Sequence, residues 1–275
     1  MYSRSRSSAP EVPSITTVIA QEHQDLTGWA GHMATSELIG DPRLPAALGS
    51  PSELRHLARE ATTAAERFRD SSAARGDRVH HYAEQVALRE LGAAHEAGLA
   101  RETLAAHGET RYADRLDEWW ELYGVKPLAA EVTVWNTSIG YAGTLDLIAE
   151  IGGRPCLIDF KTRGLTRDGR AKPLRDSVVM QLVAGLQAEE RLTDAETGEW
   201  TSWEYGREAQ PVLMAVAVSE SETVAVQAAP ERLPAHWHKF WALRQVWEHC
   251  RSTAEAGPAL RPISPPPMSA PIPAR

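Results

Sequence analysis

Cysteine is nearly missing from this chain: its 275 residues include two, Cys156 and Cys250. That count excludes a disulfide framework, a four-cysteine zinc site and a cysteine-ligated four-iron cluster. Long apolar runs are missing too, and none approaches the roughly 18 residues that suggest a membrane span. The arginines and serines at the start are not followed by an apolar stretch, so no secretion signal is expected. The cytoplasm is then the expected address, with no membrane partner. Positive charge is in deficit, with a formal net charge of −8. Such a balance argues against general polyanion binding, so nucleic-acid contact requires a local concentration of cations. There is no internal repeat.

What is present is a pair of acids around a turn. Two apolar, β-branched runs, Gly140 to Ile151 and Arg154 to Thr162, flank Gly152-Gly153. That pattern predicts a β-hairpin. A two-residue turn closed by Ile151 and Arg154 places Asp146 opposite Asp159, as a non-hydrogen-bonded pair with Cα atoms about 4.5 Å apart. Pro155 then faces Glu150, where its missing N–H removes no bond to that neighbour. Two facing carboxylates repel, and a divalent cation between them removes the penalty. Lys161 follows Asp159 by two positions and shares its face. Acid, facing acid and lysine together point to metal-dependent hydrolysis. The alternative is a hairpin with scattered surface acids, but Asp and Lys are poor strand residues and their neighbours look like core.

Around the hairpin, the chain divides by pattern. Residues 1–13 read as a flexible basic arm. A single domain is expected over 14–256, mainly helical over 14–125 and a sheet core with flanking helices over 126–256. Ser14 or Thr16 caps a first helix running through Trp29, and Ser52 with Glu53 starts a second that reaches Phe68. Asp77 caps a long helix with Val79, Ala83, Val86, Ala87, Leu91 and Ala94 at three-to-four spacing. Arg111 to Tyr123 is amphipathic, and its Trp119-Trp120 pair reads as packing. A strand is expected over 129–136. Residues 162–175 form a basic loop, and Asp176 caps a helix carrying Gln181. Residues 191–206 read as a polar insertion, 211–218 and 222–227 as strands, and 230–250 as a helix. Residues 257–275 form a proline-rich tail. Fold class is therefore α/β (α+β): a mixed central sheet flanked by helices, with an N-terminal helical region.

Two further residues join the acids. His80 sits four before Glu84 on a helix face. A neutral imidazole near two carboxylates completes a shell that favours magnesium or manganese. A structural, partly buried histidine is the commoner reading of such a residue by itself. Glu131 is an acid on an otherwise β-branched strand, either an edge ion pair or a support for the metal ligands.

Gly76-x-x-x-His80-x-x-x-Glu84, Glu131, Gly143-x-x-Asp146, Asp159-x-Lys161-Thr162 and Gln181, in this order, resemble the PD-(D/E)xK nuclease superfamily, and within it the RecB-like, phage-type exonuclease branch. The matching motifs span residues 76 to 185, and any one alone is weak. The resemblance implies a restriction-endonuclease-like sheet and a magnesium- or manganese-dependent deoxyribonuclease of phage or bacterial DNA recombination, repair or processing. It implies Asp146, Asp159, His80 and the backbone carbonyl of Phe160 as metal ligands. Lys161 would act on the attacking water, Gln181 would orient Lys161 or DNA, and Glu131 would support the site. DNA contacts would come from Arg163, Arg167, Arg170, Lys172 and Arg175. A single-strand annealing or other recombination partner and a homo-oligomer are further implications. The chain departs from the pattern at Gly185, where relatives often carry tyrosine. It also lacks the cysteines of the iron–sulfur members, so no iron–sulfur cluster is expected. An endonuclease of the same fold and a catalytically inactive DNA-binding descendant are the alternatives.

Overall fold

The computed structural model describes residues 1–264. Short or outlying helices come first: α1 (Ile15–Ile19), α2 (Thr27–Gly40), α3 (Leu44–Ala47) and α4 (Pro51–Ala61). The long α5 (Ala64–Glu90), α6 (Ala97–Ala106) and α7 (Thr110–Tyr123) follow. Strands β1 (Lys126–Asn136), β2 (Tyr141–Ile151) and β3 (Arg154–Thr162) form a meander, and α8 (Ser177–Leu186) comes next. The chain ends in β4 (Glu190–Asp194), β5 (Glu199–Ser202), β6 (Val212–Val218), β7 (Thr223–Gln227) and α9 (Leu233–Glu255). The strands make one seven-stranded sheet in the order β5-β4-β1-β2-β3-β6-β7. Only β3 and β6 run parallel, and the intervening segment carries α8 across one face. This is the mixed sheet flanked by helices that the pattern predicts.

Each sheet face is a core. Strict alternation in β6 sends Val212, Met214, Val216 and Val218 to the face covered by α5, α6 and α7. Leu213 and Ala215 go to the face covered by α8. Fully burying such aliphatic side chains contributes about 1.5–3 kcal/mol each. A third cluster, with Tyr141, Met180 and Phe240, ties α1 and α9 to α8. Among the described residues, no helix is long and apolar enough to cross a membrane.

Several local expectations are corrected. Ser14 does cap α1, accepting the Thr17 N–H at 2.9 Å. That helix stops at Ile19 instead of reaching Trp29, and α4 is capped by Ser50 with Pro51 in its first turn. Asp77 lies inside α5, which starts thirteen residues earlier at Ala64; once nucleated, a helix propagates through a local capping signal. The polar segment 191–206 holds the β4–β5 hairpin, whose β4 pairs with β1.

Residues 1–13 also fold back instead of forming a free arm. Tyr2 pairs with Val12, Ser14 bridges to Ala142, and the Ala142 N–H donates to the Pro13 carbonyl. The Arg4 guanidinium lies over the rings of Trp135 and Trp200, at 4.3 and 5.1 Å from their centroids, and pairs with Glu190. These aromatic partners are distant in sequence, which is why composition read the segment as free. Of the expected tail, residues 257–264 have no regular structure and 265–275 lie outside the described residues.

Candidate active site

The β2–β3 hairpin sets the site. Gly152 and Gly153 take φ of 59° and 76°, the left-handed values a two-residue hairpin turn of this hand requires at both positions. Pairing runs from Ile151↔Arg154 to Leu147↔Ile158 in the expected register. The recorded ladder stops there, one pair short of Asp146 and Asp159. Beyond it, one oxygen of Asp146 takes the Phe160 N–H at 2.7 Å. Asp146 therefore stands in a fork between the two strands, reaching across to β3.

From the helical side, α5 buries Val79, Tyr82, Ala83, Val86 and Ala87 against the sheet. That stripe leaves His80 and Glu84 at its half-buried margin. His80 Nδ1 lies 3.4 Å from the same Asp146 oxygen, and its ring packs edge-on to Phe160 with centroids 6.4 Å apart. At Gly76, an added Cβ would meet Thr162 Oγ1 at 3.5 Å, so the helix crosses close to the end of β3. Asp159 is 3 % exposed, and Lys161 Nζ is 2.6 Å from its Oδ2. That oxygen has no well-directed hydrogen bond, so the lysine meets it as an ion pair only.

Glu131 arrives by an irregularity. Its φ is +51°, a left-handed value that costs an L-residue roughly 1–2 kcal/mol. Ala130 packs on the α5 side and Val132 on the α8 side, so alternation breaks at Glu131. On β2, Leu145 packs on the α8 side and Leu147 on the α5 side, so the break recurs at Asp146. The flanking pairs Ala130↔Leu147 and Val132↔Leu145 keep one register. Two facing irregularities thus release Glu131 and Asp146 together from the regular pleat, beside His80 and Glu84.

The electrostatics follow from this crowding. Burial pushes the Asp159 carboxyl up to about 6, with the Asp146 charge adding to the rise and Lys161 opposing it. Burial acts on Asp146 as well, but His80, Lys161 and the Phe160 N–H hold it below the usual carboxylate range. Burial works against the charged form of His80, and Asp146 wins by raising it. Glu131 rises to about 7 through partial desolvation of its carboxyl and repulsion from Asp146 and Glu84. The residue as a whole remains exposed, so the desolvation falls on the carboxyl end, which lies among Asp146, Glu84 and His80.

The structure brings together His80, Glu131, Asp146, Asp159, Phe160 and Lys161, with Glu84 as a neighbour to which sequence reasoning gave no role. Its signal was the four-residue spacing from His80, yet its hydrogen bond goes to His81 Nδ1 at 3.2 Å. Gln181 is half-buried on α8 and its side chain has no hydrogen bond among the described residues. Gly185 is buried against Leu145, where an added Cβ would meet Cδ2 at 2.7 Å. Any side chain there would have to displace that of Leu145. The basic loop divides. Arg163 Nη2 donates to the Pro173 carbonyl at 2.6 Å, Arg170 pairs with Glu222 at 2.9 Å, and Arg175 donates to Gln24 at 2.8 Å. Arg167 and Lys172 are exposed and have no side-chain partner among the described residues. Three of the five expected DNA contacts are therefore engaged in holding the loop.

Among the described residues, no group of three or more His, Cys, Asp or Glu side chains is arranged to hold a metal ion. The donor chemistry nonetheless suits a hard divalent cation: an imidazole and two carboxylates, one of which, Asp159, keeps a buried Oδ2 lacking a directed hydrogen bond. Asp146 accepts the Phe160 N–H, and Asp159 faces Lys161. No family model and no curated protein matches the chain. One solved structure that it resembles weakly, described as "Crystal structure of SSO0001", is 13 % identical with a TM-score of 0.25. The match covers 66 % of this chain and 84 % of that one, and carries no argument about fold or function.

Proposed function

We propose that the chain is a magnesium- or manganese-dependent deoxyribonuclease with a restriction-endonuclease-like core, acting as an exonuclease in phage or bacterial DNA recombination, repair or processing. The observation that carries this reading is the Asp146 carboxylate between His80 and β3, with the buried Asp159–Lys161 pair beside it. Buried like charges are costly unless compensated, and here two acids share one fork. Asp146, Asp159 and His80, with the Phe160 carbonyl, would hold the cation. When bound, the cation supplies hydroxide near neutral pH and neutralises phosphoryl oxygens.

The chain's own groups do the rest. Lys161 places an ammonium beside the reacting phosphorus, where it orients the attacking water and offsets charge developing on the non-bridging oxygens. Water oxygen bonds to phosphorus, giving up one proton to solvent, as the P–O bond to the leaving sugar oxygen breaks, and that oxygen takes a proton from solvent. His80 is fixed by its contacts with Asp146 and Phe160, so it presents a defined edge to the site. Arg167 and Lys172 are the free cations for phosphate contact. Gln181 on α8 would orient Lys161 or the DNA backbone, and Glu131 would support the metal ligands.

The test is incubation of the purified chain with linear and closed circular DNA, single- and double-stranded, with magnesium, manganese or EDTA. Loss of linear substrate alone, abolished by EDTA, is expected. Asp159→Ala and Lys161→Ala should each lower cleavage by about a thousandfold or more, with Lys161→Ala still binding manganese. Full activity in Lys161→Ala overturns the mechanism. Nicking of closed circles would select the endonuclease reading, and DNA binding without cleavage the inactive one.

A further inference from the structure

We infer that Tyr2, through Thr144 and Thr133, is a positioning residue that holds the acid-bearing irregularity of β1 and β2 in place. The inference rests on the proposed metal site and concerns how the fold keeps it assembled. Tyr2 Oη is 2.9 Å from Thr144 Oγ1, and Thr144 Oγ1 is 3.2 Å from Thr133 Oγ1. Thr133 and Thr144 are directly paired across β1 and β2. Each lies two residues from an acid, Thr133 from Glu131 and Thr144 from Asp146. A three-hydroxyl chain therefore cross-links the two strands beside the point where both leave the regular pleat.

Such a link has work to do there. A left-handed glutamate facing an aspartate is unfavourable in backbone and in charge, and strain of this kind persists only when its surroundings over-determine it. On one side α5 clamps the pair through His80. Farther along the strands, on the face opposite Val132 and Leu145, the N-terminal segment covers Trp135 and Ala142. It is secured on β2 at both ends: Tyr2 at Thr144, and Pro13 and Ser14 at Ala142. Between them, Tyr2 packs on the cluster of Val12, Trp135 and Ala142. The phenol ring is thus anchored by apolar contact, which leaves its hydroxyl free to act on the threonine pair. β-branched threonines at these positions keep the hydroxyls on one face with few rotamers.

The experiment compares the full chain with Tyr2→Phe, Thr144→Val and Thr144→Ser. Manganese affinity is measured on DNA-free protein by the paramagnetic signal of free ion, and backbone exchange is followed over 130–134 and 142–147. Tyr2→Phe keeps the ring and its packing, and Thr144→Val keeps the shape. Both should weaken manganese binding about tenfold, the lower end of the range for residues that orient metal ligands. Both should also speed exchange in those two segments, while the thermal midpoint stays close to that of the parent. Thr144→Ser restores the hydroxyl and should restore both readouts. Unchanged exchange in Tyr2→Phe and Thr144→Val overturns the inference, as does weakened binding that Thr144→Ser shares. A parent chain that binds no manganese sinks the metal reading instead; faster exchange in the two variants would then still support the cross-link.

Discussion

Glu109 illustrates how a single residue links charge, fold and pH. It is nearly buried at the start of α7 and takes two bonds from Arg78, both 2.7 Å, and one from Arg75 at 3.2 Å. Those guanidiniums hold its carboxyl below the ordinary value of 4.5, against the opposing effect of burial. A depressed folded value means that the stabilisation is complete above the unfolded value and fades as pH falls through the lower one. Glu109→Gln should cost roughly 2–3 kcal/mol near neutral pH, since both arginines lose their partner. The difference between parent and variant in urea unfolding should narrow below about pH 4, where the parent's carboxyl also gains its proton. A constant difference across that range would refute the charge-based account. At the same scale, the Gly-Gly turn is a local rule and fixed the hairpin register, whereas the expected direct pairing of Asp146 with Asp159 gives way to a fork in which Asp146 reaches Phe160 N–H. Sequence reasoning could not foresee the backbone of Glu131, whose φ is set by β2 on one side and by α5 packing behind it.

At the scale of elements, glycine positions separate packing from chemistry. Gly143, inside the acid motif, faces Ile15, where an added Cβ would meet Cδ1 at 2.5 Å. Its place in the motif is therefore a close approach of α1 to β2, and not a direct part in binding. Gly185 plays the same part between α8 and Leu145, and its carbonyl accepts the Trp203 indole N–H at 3.0 Å. Gly185→Tyr, which would install the side chain common among the family the motifs resemble, should destabilise by about 1–3 kcal/mol through overpacking. The measurement is the urea midpoint, with the far-ultraviolet spectrum retained. A neutral or stabilising result would mean that α8 can retreat from the sheet. Element boundaries were less legible than element types. β4 and β5 are short, polar and unpatterned, and they become strands by pairing with β1 and each other.

Across the whole molecule, stability is unevenly distributed. Helix α2 has no buried residue, α4 buries only Leu57 and Ala61, and the first half of α5 buries only Ala64. The sheet and the helices on its two faces contain the large clusters. Local opening costs least where few apolar contacts resist it. Hydrogen exchange should therefore be faster over residues 20–74 than over the sheet, and limited proteolysis should cut there before the β2–β3 hairpin is touched. Equal protection in both regions would show that the outlying helices are held by something other than their own burial.

The amino-acid order by itself determined the hairpin and its register, because turn chemistry and spacing act over a few residues. It also determined that helices and a mixed sheet alternate as they do. Only the tertiary structure decided that His80 lies against Asp146, that the first residues bind the face of β2, and that three basic-loop arginines are occupied. Those outcomes join segments far apart in the chain, and which partners meet is fixed by how two sheet faces are covered, a property no local window contains.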